Sequence, residues 1–261
     1  MRGERQVFDR ITPTNSHAGD DLMIAMAMGW IPTIGTVNKF GENNNISKDT
    51  REDINDIGGT YVYPTTAIIT HVYQTTDQSA LRGAIVELQG LDSNWDLTVQ
   101  TKALDVTNTT TLIALDTPLI RIFRIKILAN VVATSNVNAS NAAGTTRYAV
   151  VTTGNNQTLM AQYSIPRGYT ALLTHYHTTM TLGLGKEPKG MNVRLWVADR
   201  VNGYEFQLKH SLGVQKGASG EDYWFKPYMK VNEKHDIKFD AYVYDNPGVV
   251  SVAFDMALIK N

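Results

Sequence analysis

His175 and His177, separated by one residue, are the first side chains whose spacing could support chemistry. In a strand, residues two apart share a face, so both imidazoles would project together at a spacing suited to two metal ligands. No Asp, Glu or His nearby in sequence supplies a third ligand, so ordinary hydrogen-bonded histidines on a strand face are expected. Asp92-Ser93-Asn94-Trp95-Asp96 opens like a calcium loop, but the positions that need Gly and Glu hold Leu97 and Ala103. A hairpin connection is expected there, with Asp92 and Asn94 as turn formers. Gly58-Gly59 precedes Thr60-Tyr61 without a phosphate-loop pattern or a following helix, and reads as a turn feeding a strand.

Nucleophilic catalysis finds no support. The chain has no Cys and no Gly-x-Ser-x-Gly elbow. Asp20-Asp21 lie side by side near the N-terminus, where helix capping is the ordinary use of such residues. Trp95, Trp196, Tyr223 and Trp224 could stack on sugars, although core or interface positions are the commoner fate of large aromatics. No catalytic residue, metal ligand or cofactor is expected, and the chain is read as non-enzymatic.

The elements that would position these residues are strands. Val250, Val252, Phe254, Met256 and Leu258 alternate with small or polar residues. Ile237, Phe239, Ala241 and Val243 do the same, as do Val193, Leu195 and Val197, and Tyr204, Phe206 and Leu208. Phe123, Ile125 and Ile127 oppose Arg124 and Lys126, and Arg121 is grouped with those two basic residues on a solvated face. Period two is the signature of half-buried strands. Turn residues punctuate them at 90–94, 154–156, 166–168, 202–203 and 246–248. The fold class is therefore all-β: two antiparallel β-sandwich domains, jelly-roll or immunoglobulin-like, with an extended N-terminal arm.

Residues 1–57 are assigned to the arm and a connection, 58–150 to the first sandwich and 151–261 to the second. The small polar run at 136–144 is read as a break near that boundary. Within the arm, residues 22–30 are apolar and rich in Met. They either pack on a neighbouring subunit or form a short helix on their own domain. Met23, Met26, Met28 and Trp30 are the interaction candidates.

Composition narrows the function classes. The 261 residues are 43% hydrophobic and 19% charged, as in folded soluble proteins. A net charge of −1 with scattered Lys and Arg argues against nucleic acid as the main ligand. The lack of Cys excludes disulfides and thiolate-bound metals, and fits a reducing cytoplasm. The start, Met1-Arg2-Gly3-Glu4-Arg5, leads into no apolar core and is not read as a signal peptide. No segment reaches the roughly 20 apolar residues of a membrane helix.

Several stretches carry a family likeness: Lys39-Phe40-Gly41-Glu42-Asn43, Glu52-Asp53-Ile54, Gly58-Gly59-Thr60-Tyr61-Val62-Tyr63-Pro64 and the run 86–94. Residues 156–171, Phe206-Gln207-Leu208-Lys209-His210 and Lys234-His235-Asp236-Ile237 complete the set. Together they resemble a family of virion structural proteins of tailed phages from marine and freshwater bacteria, cyanophages among them. Asn55 stands where that family usually has Trp, and Arg167 where it has a small residue. The resemblance implies a homo-oligomeric component of the mature particle, assembled in the host cytoplasm. Its partners would be major capsid, neck or tail proteins, in a decoration, vertex or connector role. The alternative is a tail or fibre module that binds host surface glycans.

Overall fold

The computed structural model describes residues 25–182, 188–218 and 220–261. One sheet orders β1 (Ile34–Ile46), β16 (Gly248–Lys260), β11 (Tyr169–Leu182) and β14 (Glu221–Val231) side by side. The other orders β10 (Gln162–Ser164), β15 (His235–Tyr244), β12 (Gly190–Asp199) and β13 (Gln207–Gln215), with β2 (Arg51–Asp53) also on β15. Every pairing between these strands is antiparallel. β2 and β10 lie in one line along β15: Asp53 faces Asp240, and Gln162 faces Lys238. Counted as one composite strand, they give eight strands in the order of a jelly roll, first-eighth-third-sixth over second-seventh-fourth-fifth.

The composite strand is where the second unit is inserted. The chain leaves after Ile54 and returns at Ala161, whose N–H donates to the Ile54 carbonyl at 2.9 Å. Phe239 ties both ends down, accepting from Ile54 N–H and donating to the Ala161 carbonyl. Residues 55–160 form their own pair of sheets. One orders β6 (Ile113–Leu119), β3 (Ile69–Gln74), β8 (Val137–Ser140) and β9 (Arg147–Val151); the other orders β5 (Leu97–Ala103), β4 (Ile85–Leu91) and β7 (Arg121–Ile127). The Gln100 side chain joins the two sheets, accepting from Asp116 N–H and Thr117 N–H and donating to the Thr117 carbonyl.

Each unit buries its own core. Tyr176, Val193, Leu195, Phe239, Val252 and Phe254 fill the jelly roll between its sheets; Val72, Leu88, Ile122, Ile125, Ala139 and Val151 fill the insert. The β16 alternation holds, since Val250, Val252, Phe254, Met256 and Leu258 are all buried. Each such side chain contributes about 1.5–3 kcal/mol of transfer free energy. The Tyr176 hydroxyl reaches His210 Nδ1 at 2.6 Å, a hydrogen bond from one sheet to the other.

Three expectations need correction. The assigned arm, 1–57, contains β1 and β2, integral strands of the jelly roll, because Phe40, Asn43 and their neighbours pair along β16 rather than extending away. The run at 136–144 is not a break. Val137–Ser140 is strand β8, and its buried Asn138 donates from Nδ2 to Thr75 Oγ1 at 2.9 Å and to the Asn136 carbonyl at 3.1 Å. The insert therefore extends to residue 160, with Met160 in its core. In the 204–210 stretch, β13 starts only at Gln207, and Tyr204 and Leu208 are exposed. Tyr204 precedes the strand, and β13, at the edge of its sheet, leaves most of its side chains exposed.

Candidate functional site at the joint of the two units

A bulge in β7 aims two side chains out of the insert. Gln89 of β4 pairs with Arg124 and Gly90 with Ile122, so Phe123 is the extra residue. Ile122, Ile125 and Ile127 then face the insert's core, whereas Phe123 stacks on Tyr163 of the jelly roll with ring centroids 4.3 Å apart. Arg121, two residues earlier, points the same way and is buried. Gly90 permits the bulge, since a Cβ there would lie 2.2 Å from the Arg121 carbonyl oxygen.

Arg121 meets a carboxylate that is fully buried. Its Nε and Nη2 each donate to Asp236 at 2.8 Å in a bidentate fork, and its Nη1 donates to the Pro64 and Ile120 carbonyls. Arg200 Nε donates to Asp236 Oδ2 at 2.7 Å, and Ser164 Oγ donates to Oδ1. Alongside, Lys238 Nζ donates to Asp53 Oδ1 at 2.7 Å, while Asp53 Oδ2 accepts from Tyr61 N–H. Desolvation raises the Asp53 pKa above its ordinary range, against the pull of Lys238.

Rings and cations alternate along this joint. Arg121 lies over Trp95 at 4.8 Å and Tyr63 at 5.2 Å; Arg200 lies over Tyr63 at 5.5 Å and Phe206 at 4.9 Å; Lys238 lies over Phe206 at 4.8 Å. The column borders a cleft of about 610 Å³. The Tyr63 hydroxyl is buried without a hydrogen-bond partner among the described residues, and that of Tyr61 is buried beside Gln162. Burial is the main cause that pushes both phenols above their ordinary pKa, so they stay protonated donors. The cleft can therefore offer hydrogen-bond donors and positive charge, with no nucleophile paired to a base.

The residues singled out from sequence fall elsewhere. His175 and His177 share a face, and both hydrogen-bond the same Asp222 oxygen, at 2.8 and 3.0 Å. Among the described residues no group of three or more His, Asp or Glu is arranged to hold a metal ion. Residues 92–96 form the β4–β5 hairpin turn, with Asp92 Oδ1 accepting from Asn94 and Asp96 N–H. Gly58 and Gly59 both have positive φ, as a glycine turn requires. Trp224 is exposed and packs on His175, Tyr223 stacks on His210, Trp196 is partly buried, and Trp95 alone of the four aromatics borders the cleft.

Met23 lies outside the described residues. Met26 is half-buried within a helical turn at residues 25–27, and Met28 and Trp30 are exposed. None of Met26, Met28 and Trp30 lines the cleft.

Sequence reasoning missed Arg121, Arg200, Lys238, Asp236, Tyr63 and Phe206 as one constellation. One signal was present for Arg121: it shares parity with Phe123, so it belongs with the buried side chains and not with Arg124 and Lys126. No helix among the described residues is long and apolar enough to cross a membrane.

No protein-family model and no curated protein matches the chain. Among solved structures, a Bacillus thuringiensis Cry1Da tryptic core variant aligns at 9% identity and a TM-score of 0.16. The alignment covers 83% of this chain and 53% of that one, so the chain spans about half that structure's length. A similarity of this size assigns neither fold nor function.

Proposed function

We propose that the chain is a non-enzymatic, self-associating structural component of a tailed-phage particle, packing against capsid, neck or tail proteins. The observation that carries this reading is where the family-like stretches converge. Lys39 Nζ donates to the Phe123 carbonyl across the joint at 2.6 Å. Asn43 donates to Glu52 and to the Asp53 carbonyl, Glu52 accepts from Gly59 N–H, and Asp53 accepts from Tyr61 N–H. Asp236 closes the joint from the far side. That the residues carrying the likeness meet where one sandwich is inserted into the other supports reading the likeness as one of architecture. Jelly rolls serve viral capsids, and also lectins and cupins, so the fold adds support by analogy only.

Self-association needs apolar surface. Met28 is 62% exposed and Trp30 39% exposed, next to one another just before β1. Because neither is packed into a core, Met28→Ser/Trp30→Ser should fold normally. Sedimentation velocity is expected to show the wild-type chain as an oligomer and the double variant shifted toward monomer. Mass spectrometry of purified particles should find the wild-type chain in stoichiometric amounts. A monomeric wild-type chain that is missing from particles would overturn the proposal. Truncation experiments must stop before Thr33, whose carbonyl accepts from Lys260 N–H at the end of the β1–β16 ladder.

A further inference from the structure

The cleft at the joint has features that a purely structural joint does not use. Of the five N–H donors of a guanidinium, Arg200 commits only Nε–H among the described residues, to Asp236. Lys238 commits one ammonium N–H, to Asp53. Tyr63 lines the cleft, and its buried hydroxyl has no partner among the described residues. Buried polar groups are almost always paired, so an unpaired donor beside an open cavity points to a ligand atom. Arg121, Arg200 and Lys238 face two buried carboxylates, Asp53 and Asp236, both bound from behind. Neither Asp53 nor Asp236 lines the cleft itself; among the described residues Glu205 is the one carboxylate that does, and it is exposed. The inner wall is therefore donor-rich and acceptor-poor.

We infer that this cleft binds a small oxyanionic ligand, a carboxylate- or phosphate-bearing molecule of roughly mono- to disaccharide size, seated on the uncommitted edge of Arg200. The volume, about 610 Å³, falls within the range of small-molecule sites. The ligand's acceptor oxygens take the N–H groups of Arg200 and the hydroxyl of Tyr63. Its body lies between the insert and the jelly roll, so it contacts both units. Fixed donors aimed at one point discriminate against a neutral analogue, which would leave Arg200 desolvated and unpaired.

The test is calorimetric titration of the full chain at low ionic strength with galacturonate, glucose 6-phosphate, inorganic phosphate and neutral glucose. At least one anion is expected to bind, and glucose is not. Tighter binding of galacturonate than of the two phosphates identifies a carboxylate ligand, and the reverse order a phosphate; either supports the site. Arg200→Gln should weaken the anion about 10-fold or more. Tyr63→Phe should weaken it about 3- to 10-fold without lowering the unfolding midpoint, because the hydroxyl has no protein partner to lose. If Arg200→Gln fails to fold, Tyr63→Phe alone decides. Arg167→Gln, at an exposed pair with Asp96 beyond the cleft lining, is the control expected to bind as wild type. Absence of anion binding at 10 mM, or binding untouched by both cleft variants, would overturn the inference. Neither result bears on assembly into particles.

Discussion

Arg121 and Asp236 stand 115 residues apart, in different sandwiches, yet form a bidentate ion pair with both N···O distances at 2.8 Å and both side chains buried. Several of the contacts that join the two units converge on this pair. Asp236 also holds Arg200 and Ser164, and Arg121 also holds two carbonyls of the insert. Removing either member leaves a desolvated charge with too few partners.

Arg121→Met is therefore expected to lower stability by about 3–5 kcal/mol, the cost of breaking a buried pair. Adding Asp236→Asn should not recover that loss, since Asp236 still pairs with Arg200 when Arg121 is gone, and Arg200 then loses its carboxylate. Urea denaturation of the single and double variants measures both. A single-variant loss below about 1 kcal/mol would mean the pair is not what holds the joint.

Gly41 marks the closest approach of two backbones. A Cβ there would sit 2.0 Å from Ala161 N and 2.6 Å from the Met160 carbonyl carbon. Neither neighbour can withdraw freely, because Ala161 N–H is bonded to Ile54 and Met160 N–H to Phe40. Gly41→Ala should destabilise by about 3 kcal/mol, the upper end for overpacking. Gly35→Ala on the same strand, with nothing closer than 4.0 Å, should change stability by less than about 0.5 kcal/mol. Equal thermal midpoints for the two variants would refute the close-approach account.

Lys39 is buried, and among the described residues its ammonium has one hydrogen bond, to the Phe123 carbonyl, and no carboxylate partner. Burial, and then the nearby Arg124, lower its pKa to about 7. The unfolded chain keeps the ordinary value near 10.4, so between about pH 7 and 10 it binds a proton that the folded chain does not. Stability should therefore rise with pH through this window. Lys39→Met should abolish that rise, which unfolding curves at pH 6, 7, 8 and 9 would reveal. Parallel wild-type and variant profiles would count against it.

Asp56 should give a slope of opposite sign. Burial raises its pKa to about 7 despite donation from Leu159 N–H and Thr152 Oγ1, with Glu42 adding a smaller push upward. Between about pH 4 and 7 the folded chain holds a proton that the unfolded chain has lost, so stability falls as pH rises. Asp56→Asn keeps an acceptor for Leu159 and removes the ionisation. At pH 8 it is expected to be more stable than wild type, on the order of 1–3 kcal/mol, with the gap closing near pH 4. A gap that stays constant with pH would remove ionisation as the cause.

The sequence by itself determined which side chains face inward along most strands, because alternation follows from the covalent geometry of an extended chain. Val250 to Leu258, Ile237 to Val243 and Val193 to Val197 needed nothing beyond that. The turn at 92–96 and the glycine turn at 58–59 were equally legible, since Asp92 and the glycines act on their own neighbours. The tertiary structure decided what those strands pair with. Ile34 lies opposite Ile259, and β2 and β10 make one strand from segments separated by an entire sandwich. No local pattern encodes such partnerships, because a hydrogen-bonding edge is chemically the same whichever strand it meets. The candidate site is of the second kind throughout: Arg121, Arg200, Lys238 and Tyr63 read individually as ordinary surface or strand residues. Only the bulge at Phe123 and the insertion within a single strand bring them to one cleft.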